Sequence, residues 1–409
     1  MPRRALLWYH GDKIRDCRMT AFDKGDNDML LVKNVMLNDG INKEPYLTDI
    51  LISDGKFAEI GEDLPEEGAD TVIDAKGKNA YPGFIDAHSH LGLDVYGIGF
   101  EGHDYNEMNS PVCPELRAID SFNPFDQAVR MAMEGGVTTV GTGPGSANPI
   151  GGTFIAVKTS GKRVDDMIVR DPVAMKCAFG ENPKRVYRDK KVSARMTVSA
   201  LIREELFKAK EYLLKKEAAA GDASKMPAFD MGLEAMIPVI KGELPMKAHA
   251  HQANDILSAI RIAKEFGIKL TLEHVTEGHL IVDELAKEGY PCAVGPSLTH
   301  ATKWELQNKS WTTPGILAEA GLQVSIITDA PVIPQQHLPL CAGMAVKAGM
   351  DPFKALQAIT INPARHLGIE DRVGSVEVGK DADLVITDGC PFSVETRTEH
   401  VIINGKCVL

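Results

Sequence analysis

The sequence predicts an α/β fold in which a long central part with alternating strands and helices lies between two β-rich ends. Residues 80–372 alternate short apolar runs with helical segments, as in FIDAHSHL (84–91) followed by FDQAVRMAMEGG (125–136). Strands that are separated by helices of this length pair in parallel through crossover connections. There are enough units to close a (β/α)₈ barrel, although the pattern alone leaves an open doubly wound sheet as an alternative.

The two ends of the chain have a different pattern, with short β-branched runs that are broken by turns. Residues 29–79 contain DILISDGKFAEIG (49–61), and residues 373–409 contain GSVEVGKDADLVITDG (374–389). Neither end has enough strands to be stable alone, so we predict that they meet in one small β-sandwich. Residues 1–28 show no clear period and are left as an unassigned N-terminal extension.

Composition and charge exclude several classes of function. The chain has 409 residues and a formal net charge of -12, which disfavours nucleic acids and anionic membranes as partners. No window approaches the roughly 18 apolar residues of a membrane span. The seven cysteines are scattered and form no C-x-x-C pair, which is typical of free thiols in a reducing cytoplasm. A small-molecule substrate is therefore expected, and the oligomeric state, including a homo-oligomer, stays open.

Several predicted strands end in side chains that bind metal ions. These residues are Asp86, His88, His90, His249, His251, His274 and Asp329. His88 and His90 are two residues apart and project to the same side of a strand. In a parallel barrel the strand ends meet at one rim, where inward-facing histidines cost stability unless they are bonded or ligated. Imidazole nitrogens with a carboxylate suit Zn²⁺, and Mn²⁺ or Fe²⁺ somewhat less well.

Four segments resemble motifs of the amidohydrolase superfamily. YPGFIDAHSHLGL (81–93) is similar to its first-strand signature, and TINPARHLGIEDRVGSVEVGKDADLVI (360–386) is similar to its C-terminal signature. EHVTEGH (273–279) and ITDAP (327–331) resemble its sixth- and eighth-strand motifs. The resemblance spans residues 29–409 and is closest to the imidazolonepropionase-like or prolidase-like branch. It implies a (β/α)₈ TIM barrel over residues 80–372 and a β-sandwich domain from residues 29–79 and 373–409.

The resemblance also implies a role for each matching histidine. His88 and His90 would bind the more buried metal together with Asp329. His249 and His274 would bind a second metal, or, in one-metal members, one of them would be a ligand and the other would contact the substrate. The expected cofactor is therefore one or two divalent ions per chain, with zinc favoured over manganese or iron.

Two-metal relatives often bridge their ions with a carboxylated lysine on the fourth strand. Lys176, in AMKCAFG (174–180), occupies such a position. A carboxylated lysine is anionic, which removes the cost of burying an ammonium group in an apolar strand. Glu181 is an alternative bridge, and the absence of any bridge is a third possibility.

Three further residues are candidates for contacting the substrate. Comparison with the H-A-D-E and H-A-H-T motifs of relatives favours His251 as a substrate contact or as a neighbour that supports a ligand. Arg185 follows the fourth strand, where it would hold a substrate carboxylate, and His300 follows the seventh. The glycine-rich segment GTGPGSANPIGG (141–152) is interpreted as a barrel loop near the substrate.

The predicted function is hydrolysis of a C–N bond by a metal-activated water, in a cyclic amide such as an imidazolone or in an amino-acid amide or dipeptide. Asp329 would take a proton and pass it to the leaving nitrogen, while Asp86 or Glu273 would orient the histidines. The alternative is a mononuclear deaminase of an aminated heterocycle, which would release ammonia. A non-catalytic metal-binding barrel is disfavoured because the ligand set is complete.

Overall fold

The computed structural model describes residues 29–97 and 99–409, so the extension predicted for residues 1–28 lies outside the described part. The strands in this part are β1 (Leu30–Leu37), β2 (Tyr46–Ser53), β3 (Lys56–Gly61), β4 (Thr71–Asp74), β5 (Asn79–Pro82), β6 (Phe84–Ser89), β7 (Val137–Thr142), β8 (Ile150–Lys158), β9 (Ile168–Ala178), β10 (Met246–Ala250), β11 (Leu270–His274), β12 (Cys292–Val294), β13 (Val324–Ile326), β14 (Leu384–Thr387), β15 (Thr398–Ile403) and β16 (Lys406–Cys407). The helices are α1 (Gln127–Glu134), α2 (Val164–Met167), α3 (Glu181–Val186), α4 (Arg195–Ala219), α5 (Met231–Ile240), α6 (Ala253–Phe266), α7 (Val282–Glu288), α8 (Thr313–Glu319), α9 (Leu338–Lys347), α10 (Pro352–Gln357) and α11 (Ile361–Leu367).

One sheet joins the two ends of the chain. Its strands follow the order β16-β15-β14-β5-β1-β2-β3, and β4 pairs with β1. The N-terminal strand β5 runs antiparallel to the C-terminal strand β14, with Ala80 opposite Ile386. Apolar side chains from both ends, including Val32, Ile50 and Leu384, are buried in one core. The predicted meeting of the two ends is therefore confirmed at the level of this shared sheet.

The second sheet is a nearly closed barrel of eight strands in the order β6 to β13. Every neighbouring pair is parallel except those of β8, which runs antiparallel to both β7 and β9. The prediction of parallel pairing throughout is therefore wrong at β8. Residues 143–149, which connect β7 to β8, are too few for a crossover, so the chain turns back as a hairpin. Of the segment 141–152, which was interpreted as a loop, only residues 143–149 between these two strands form one.

Asp86 connects the first barrel strand to the last. One of its carboxylate oxygens, Oδ2, accepts hydrogen bonds from the backbone nitrogen and hydroxyl of Thr328 at 2.9 and 2.7 Å, and from Gln335 Nε2 at 2.6 Å. The backbone of His90 donates to the carbonyl of Ala330 at 2.8 Å. Burial raises the pKa of Asp86 to about 6. These bonds join the two edges of the sheet, which favours the barrel over an open doubly wound sheet.

A buried ion pair links the barrel to the shared sheet of the chain ends. Lys158 lies at the end of β8, and its Nζ is 2.5 Å from Asp383 Oδ2 and 3.3 Å from Asp381 Oδ2. The hydroxyl of Thr138 also donates to Asp383, at 3.3 Å. The exact domain boundaries at residues 79 and 373 stay a prediction.

In the described part of the chain, no helix combines the length and the apolar composition that crossing a bilayer requires.

The shared sheet predicts the effect of a C-terminal truncation. A chain that ends near Val373 lacks β14 to β16, so β5 loses its antiparallel partner and Lys158 loses both buried carboxylates. We expect this truncation to give insoluble protein on expression, measured as the soluble fraction. A control chain that ends at Cys407 retains all three strands and should stay soluble. A soluble and active truncation at Val373 would contradict the prediction.

Candidate active site

The first group of candidate ligands consists of His88 and His90, at the end of β6, and Asp329, just after β13. Nε2 of His90 lies 3.3 Å from Asp329 Oδ1, and Nε2 of His88 lies 3.7 Å from the same oxygen. Both imidazoles are buried. Asp329 has a positive φ of 54°, which is uncommon for a residue other than glycine and marks a sharp turn after the strand. The turn places the carboxylate between the two rings.

Hydrogen bonds on the outer sides of the rings orient both histidines. Nδ1 of His88 is 2.9 Å from Glu273 Oε2, and Nδ1 of His90 is 2.8 Å from the carbonyl oxygen of Gly143. A carbonyl oxygen only accepts, so Nδ1 of His90 carries the hydrogen and, in the neutral ring, Nε2 carries a lone pair. That lone pair faces Asp329 Oδ1, which has no hydrogen-bond partner in the described structure. In the neutral ring, these two electron pairs repel each other unless a cation lies between them.

The carboxylate of Glu273 lies at the centre of a fully buried polar network. Besides His88, it contacts Lys247 Nζ at 2.8 Å, His366 Nε2 at 2.8 Å and the hydroxyl of Thr271 at 2.8 Å. Burial alone would raise the pKa of this carboxyl, but Lys247 and His366 hold it well below its usual range. Glu273 is therefore the carboxylate that orients a candidate ligand. Asp86 instead bonds the backbone of His88 and the last barrel strand.

The second group consists of His249, His251 and His274, whose candidate ligand atoms all lie within 4.8 Å of one another. Nδ1 of His274 donates to the carbonyl of Gly295 at 2.8 Å, and Nδ1 of His251 contacts the hydroxyl of Thr276 at 2.7 Å. Within the described residues, both nitrogens of His249 and Nε2 of His274 have no hydrogen-bond partner. Burial lowers the pKa of His249 and His251 well below the usual range and that of His274 to about 4. Burial therefore favours the neutral form of all three rings, which is the form that binds a metal ion.

Lys176 lies in the barrel interior beside the first group. It is opposite Lys247 across β9 and β10, and its Nζ is 3.3 Å from His88 Nε2. Burial lowers its pKa to about 8. Glu181, the alternative bridge, begins α3 and is half-buried; its backbone nitrogen donates to Glu305 Oε2 at 2.9 Å.

The predicted substrate contacts are distributed unevenly. His251 belongs to the second group, whereas Arg185 and His300 are exposed, and no contact of either with the two groups is found in the described residues. Sequence reasoning missed Glu305, a buried carboxylate whose Oε1 is 3.7 Å from Nε2 of both His249 and His251. The sequence signal that could have identified Glu305 is its carboxylate in the segment after β12, which also contains His300.

The buried atoms without hydrogen bonds indicate whether the two groups fit a divalent ion. The first group presents two imidazole nitrogens and one carboxylate oxygen, and the second presents three imidazole nitrogens. Asp329 Oδ1, His249 Nε2 and His274 Nε2 are buried without hydrogen bonds, which is costly unless a ligand satisfies them. Both groups therefore fit a borderline-soft divalent ion such as Zn²⁺.

The Glu273 network predicts how the outer partners affect metal binding. Glu273→Gln keeps the size of the side chain. It removes the negative charge of the carboxylate that pairs with Lys247 and accepts a hydrogen bond from His88. We expect metal affinity at the first group to fall by about 10–100-fold. The free energy of unfolding should fall by about 3–5 kcal/mol, because Lys247 loses its buried counter-charge.

The matched control is Thr271→Val, which removes one hydrogen bond to the same carboxylate. It should cost about 1 kcal/mol of stability and leave metal affinity unchanged. Metal content after equilibrium dialysis and the urea unfolding midpoint measure the two effects. Unchanged metal affinity in Glu273→Gln would show that this carboxylate does not support His88 as a ligand.

Comparison with solved structures identifies a close structural relative. An amidohydrolase from Thermotoga maritima MSB8 is 42% identical, with a TM-score of 0.90, and the match covers 93% of this chain and 99% of that one. A Xaa-Pro dipeptidase with bound methionine is 19% identical with a TM-score of 0.54, covering 93% and 99% of the two chains, and shares the fold.

Curated relatives include the amidohydrolase tasK of Hapsidospora irregularis, which is 29% identical over 90% of this chain; the match spans 40% of the length of tasK. An imidazolonepropionase of Streptococcus sanguinis (strain SK36) is 25% identical over 88% of this chain and 90% of its own length. The model of the Amidohydrolase family matches residues 79–408. These matches confirm the resemblance to the amidohydrolase superfamily, whose curated members similar to this chain include imidazolonepropionases. The chain belongs to the amidohydrolase family and is a hydrolase that acts on carbon–nitrogen bonds.

Proposed function

We propose that this enzyme hydrolyses the C–N bond of a small amide with the help of one or two divalent ions. The substrate is a cyclic amide such as an imidazolone, or an amino-acid amide or dipeptide. The first ion is held by His88, His90 and Asp329. The single observation that supports this most is the unpaired Asp329 oxygen facing the Nε2 lone pair of His90 at 3.3 Å. Members of the family generally use a divalent metal, and we propose zinc for this chain.

When bound, the ion supplies an activated water molecule and polarises the substrate carbonyl group. Asp329 accepts the proton and then delivers it to the leaving nitrogen. Its carboxylate is suited to this transfer because the side chain is 16% exposed although Oδ1 is buried beside the histidines, whereas the histidine rings are nearly inaccessible. Glu273 and Gly143 keep the rings in the orientation that leaves Nε2 available.

A second ion is proposed at His249 and His274, with Lys176 as the bridge between the two ions. The position of Lys176 Nζ, 3.3 Å from His88 Nε2, supports this assignment. Carboxylation would replace a buried ammonium group by an anion that binds both ions. Glu181 is the alternative bridge.

A cavity of about 390 Å³ is proposed as the site for the apolar part of the substrate. Its lining includes Leu91, which follows His90, and Ala330, which follows Asp329. Tyr96 and Met131 add apolar surface. Arg185 and His300, on exposed segments, stay predicted substrate contacts for a form in which these segments approach the ligand.

We also propose that residues 29–79 and 373–409 form a β-sandwich domain beside the barrel of residues 80–372, and that the enzyme acts in the cytoplasm. The buried thiols of Cys113, Cys177 and Cys292, none of them in a disulfide, support a reducing compartment.

Metal removal tests the proposed cofactor. Dialysis of the full chain against a strong chelator should abolish amide hydrolysis, and Zn²⁺ or Mn²⁺ should restore it. The reason is that the proposed reaction uses a water molecule activated by the ion at His88, His90 and Asp329. The measurement is turnover before and after reloading, with metal content determined in parallel. Full activity in the metal-free enzyme would exclude a metal-dependent reaction.

A substrate panel separates amide hydrolysis from deamination. We expect an imidazolone, an amino-acid amide or a dipeptide to be cleaved to a carboxylate and an amine, with two ions per chain. Aminated heterocycles should release no ammonia. Ammonia release with one ion per chain would instead identify a mononuclear deaminase.

The substitution Asp329→Asn separates the proposed role of Asp329 as proton carrier from its proposed role as metal ligand. The amide keeps the volume and a ligating oxygen but cannot accept the proton, so turnover at saturating metal should fall by about 10²–10⁴-fold. The affinity for substrate analogues should change much less, because the cavity is untouched. Turnover, metal content and inhibitor affinity are measured on the same preparation. Near-normal turnover with metal retained would assign the base to another residue, with His251 and His300 as the next candidates.

A further inference from the structure

We propose that Glu305 completes a four-donor site for the second divalent ion with His249, His251 and His274, and that Lys303 competes with this ion for the Glu305 carboxylate. The inference rests on the proposed function, which requires an ion at these histidines. It assigns His251 to the metal instead of to the substrate.

The three imidazoles direct their free nitrogens toward one another. The carbonyl of Gly295 accepts from Nδ1 of His274, and the hydroxyl of Thr276 contacts Nδ1 of His251. Each of these rings therefore has its Nε2 left for the interior of the group. Neither nitrogen of His249 has a hydrogen-bond partner in the described residues. The candidate ligand atoms of the three rings lie within 4.8 Å of one another, and the unpaired buried nitrogens among them are costly unless a ligand satisfies them.

Glu305 supplies a fourth donor from the segment after β12. Its Oε1 is 3.7 Å from Nε2 of His249 and 3.7 Å from Nε2 of His251. These distances are too long for hydrogen bonds. They match the spacing of donors around one ion, since metal–ligand bonds of about 2.0–2.2 Å put neighbouring donors roughly 3–4 Å apart. The backbone nitrogen of Glu181 holds the other oxygen, Oε2, at 2.9 Å. The carboxylate is thereby fixed with Oε1 facing the histidines.

Lys303 contacts the same oxygen that faces the histidines. Its Nζ is 2.6 Å from Glu305 Oε1 and 3.1 Å from the side-chain oxygen of Asn182. An ammonium group at this distance neutralises the carboxylate and repels a divalent ion nearby. The side-chain oxygen of Asn182 remains a hydrogen-bond acceptor for the ammonium group of Lys303 when the ion binds Glu305 Oε1. Lys303 therefore sets the affinity of the second ion without being one of its ligands.

The test measures metal binding by the full chain, not activity alone. Protein stripped with a chelator is reloaded in Zn²⁺ buffers, and the bound ions per chain and their affinities are measured by elemental analysis and competition titration. Cobalt(II) loading gives a visible spectrum that reports the donor set. Wild-type protein should bind two ions. Glu305→Gln should weaken the second ion by about 10–100-fold and leave the first unchanged. Lys303→Met should strengthen the second ion by about tenfold.

Two matched controls carry the same chemical changes nearby. Glu277→Gln alters a buried carboxylate that accepts from the Ala253 backbone and the Asn308 side chain at 2.8 Å. Lys309→Met removes an ammonium group that contacts the Thr299 hydroxyl in the same segment as Lys303. Both should bind two ions with wild-type affinities and give the wild-type cobalt spectrum.

The outcomes separate this inference from the proposed function. If wild-type protein binds one ion, or Glu305→Gln retains the second ion at wild-type affinity, the inference is overturned and metal-dependent hydrolysis stands. A chain that binds no ion overturns both. If Glu305→Gln fails to fold, Lys303→Met decides, because it retains every donor: tighter binding of the second ion supports the competition, and unchanged affinity refutes it.

Discussion

The buried carboxylate of Glu273 is the interaction on which the barrel interior depends. It pairs with Lys247, with both side chains fully buried, and also fixes the imidazole of His88. An unpaired lysine at this depth would cost several kcal/mol, and Glu273, which also contacts His366, supplies its counter-charge. His366 lies on α11, within the segment that resembles the C-terminal family signature. The late part of the chain thus supports a ligand that lies near its beginning.

The orientation of the other ligands depends on backbone atoms. His90 and His274 each donate to a glycine carbonyl, at Gly143 and Gly295. A side chain at Gly143 would bring its Cβ within 2.3 Å of the Phe154 ring, and one at Gly295 within 2.2 Å of the Ile327 carbonyl oxygen. Both positions therefore need glycine for reasons of packing. The hydrogen-bond acceptors that orient these two ligands are main-chain carbonyl groups. No polar side chain in the sequence therefore indicates where they lie.

Local patterns predicted the parts of the structure that have a regular period. The pairing of His88 with His90 follows from strand geometry, and the histidines of later strands meet them because parallel strands end at one rim. Strand β8 was missed, since its antiparallel hairpin interrupts the strand–helix alternation from which the barrel was predicted. Glu305 was missed because it lies in a short 3-10 helix, Trp304–Leu306, between β12 and α8, where only tertiary packing brings its carboxylate to the histidines.

The shared sheet sets an order in which the protein can form during synthesis. β5 ends at residue 82, whereas its partner β14 begins at residue 384, so nearly the whole barrel is made before that pairing exists. At about 5–20 residues per second, the N-terminal strands wait on the order of tens of seconds for their partners. Throughout that interval their apolar faces and the unpaired edge of β5 are open to other chains. Mispairing at this edge is therefore a hazard of synthesis that ends only when β14 has been made.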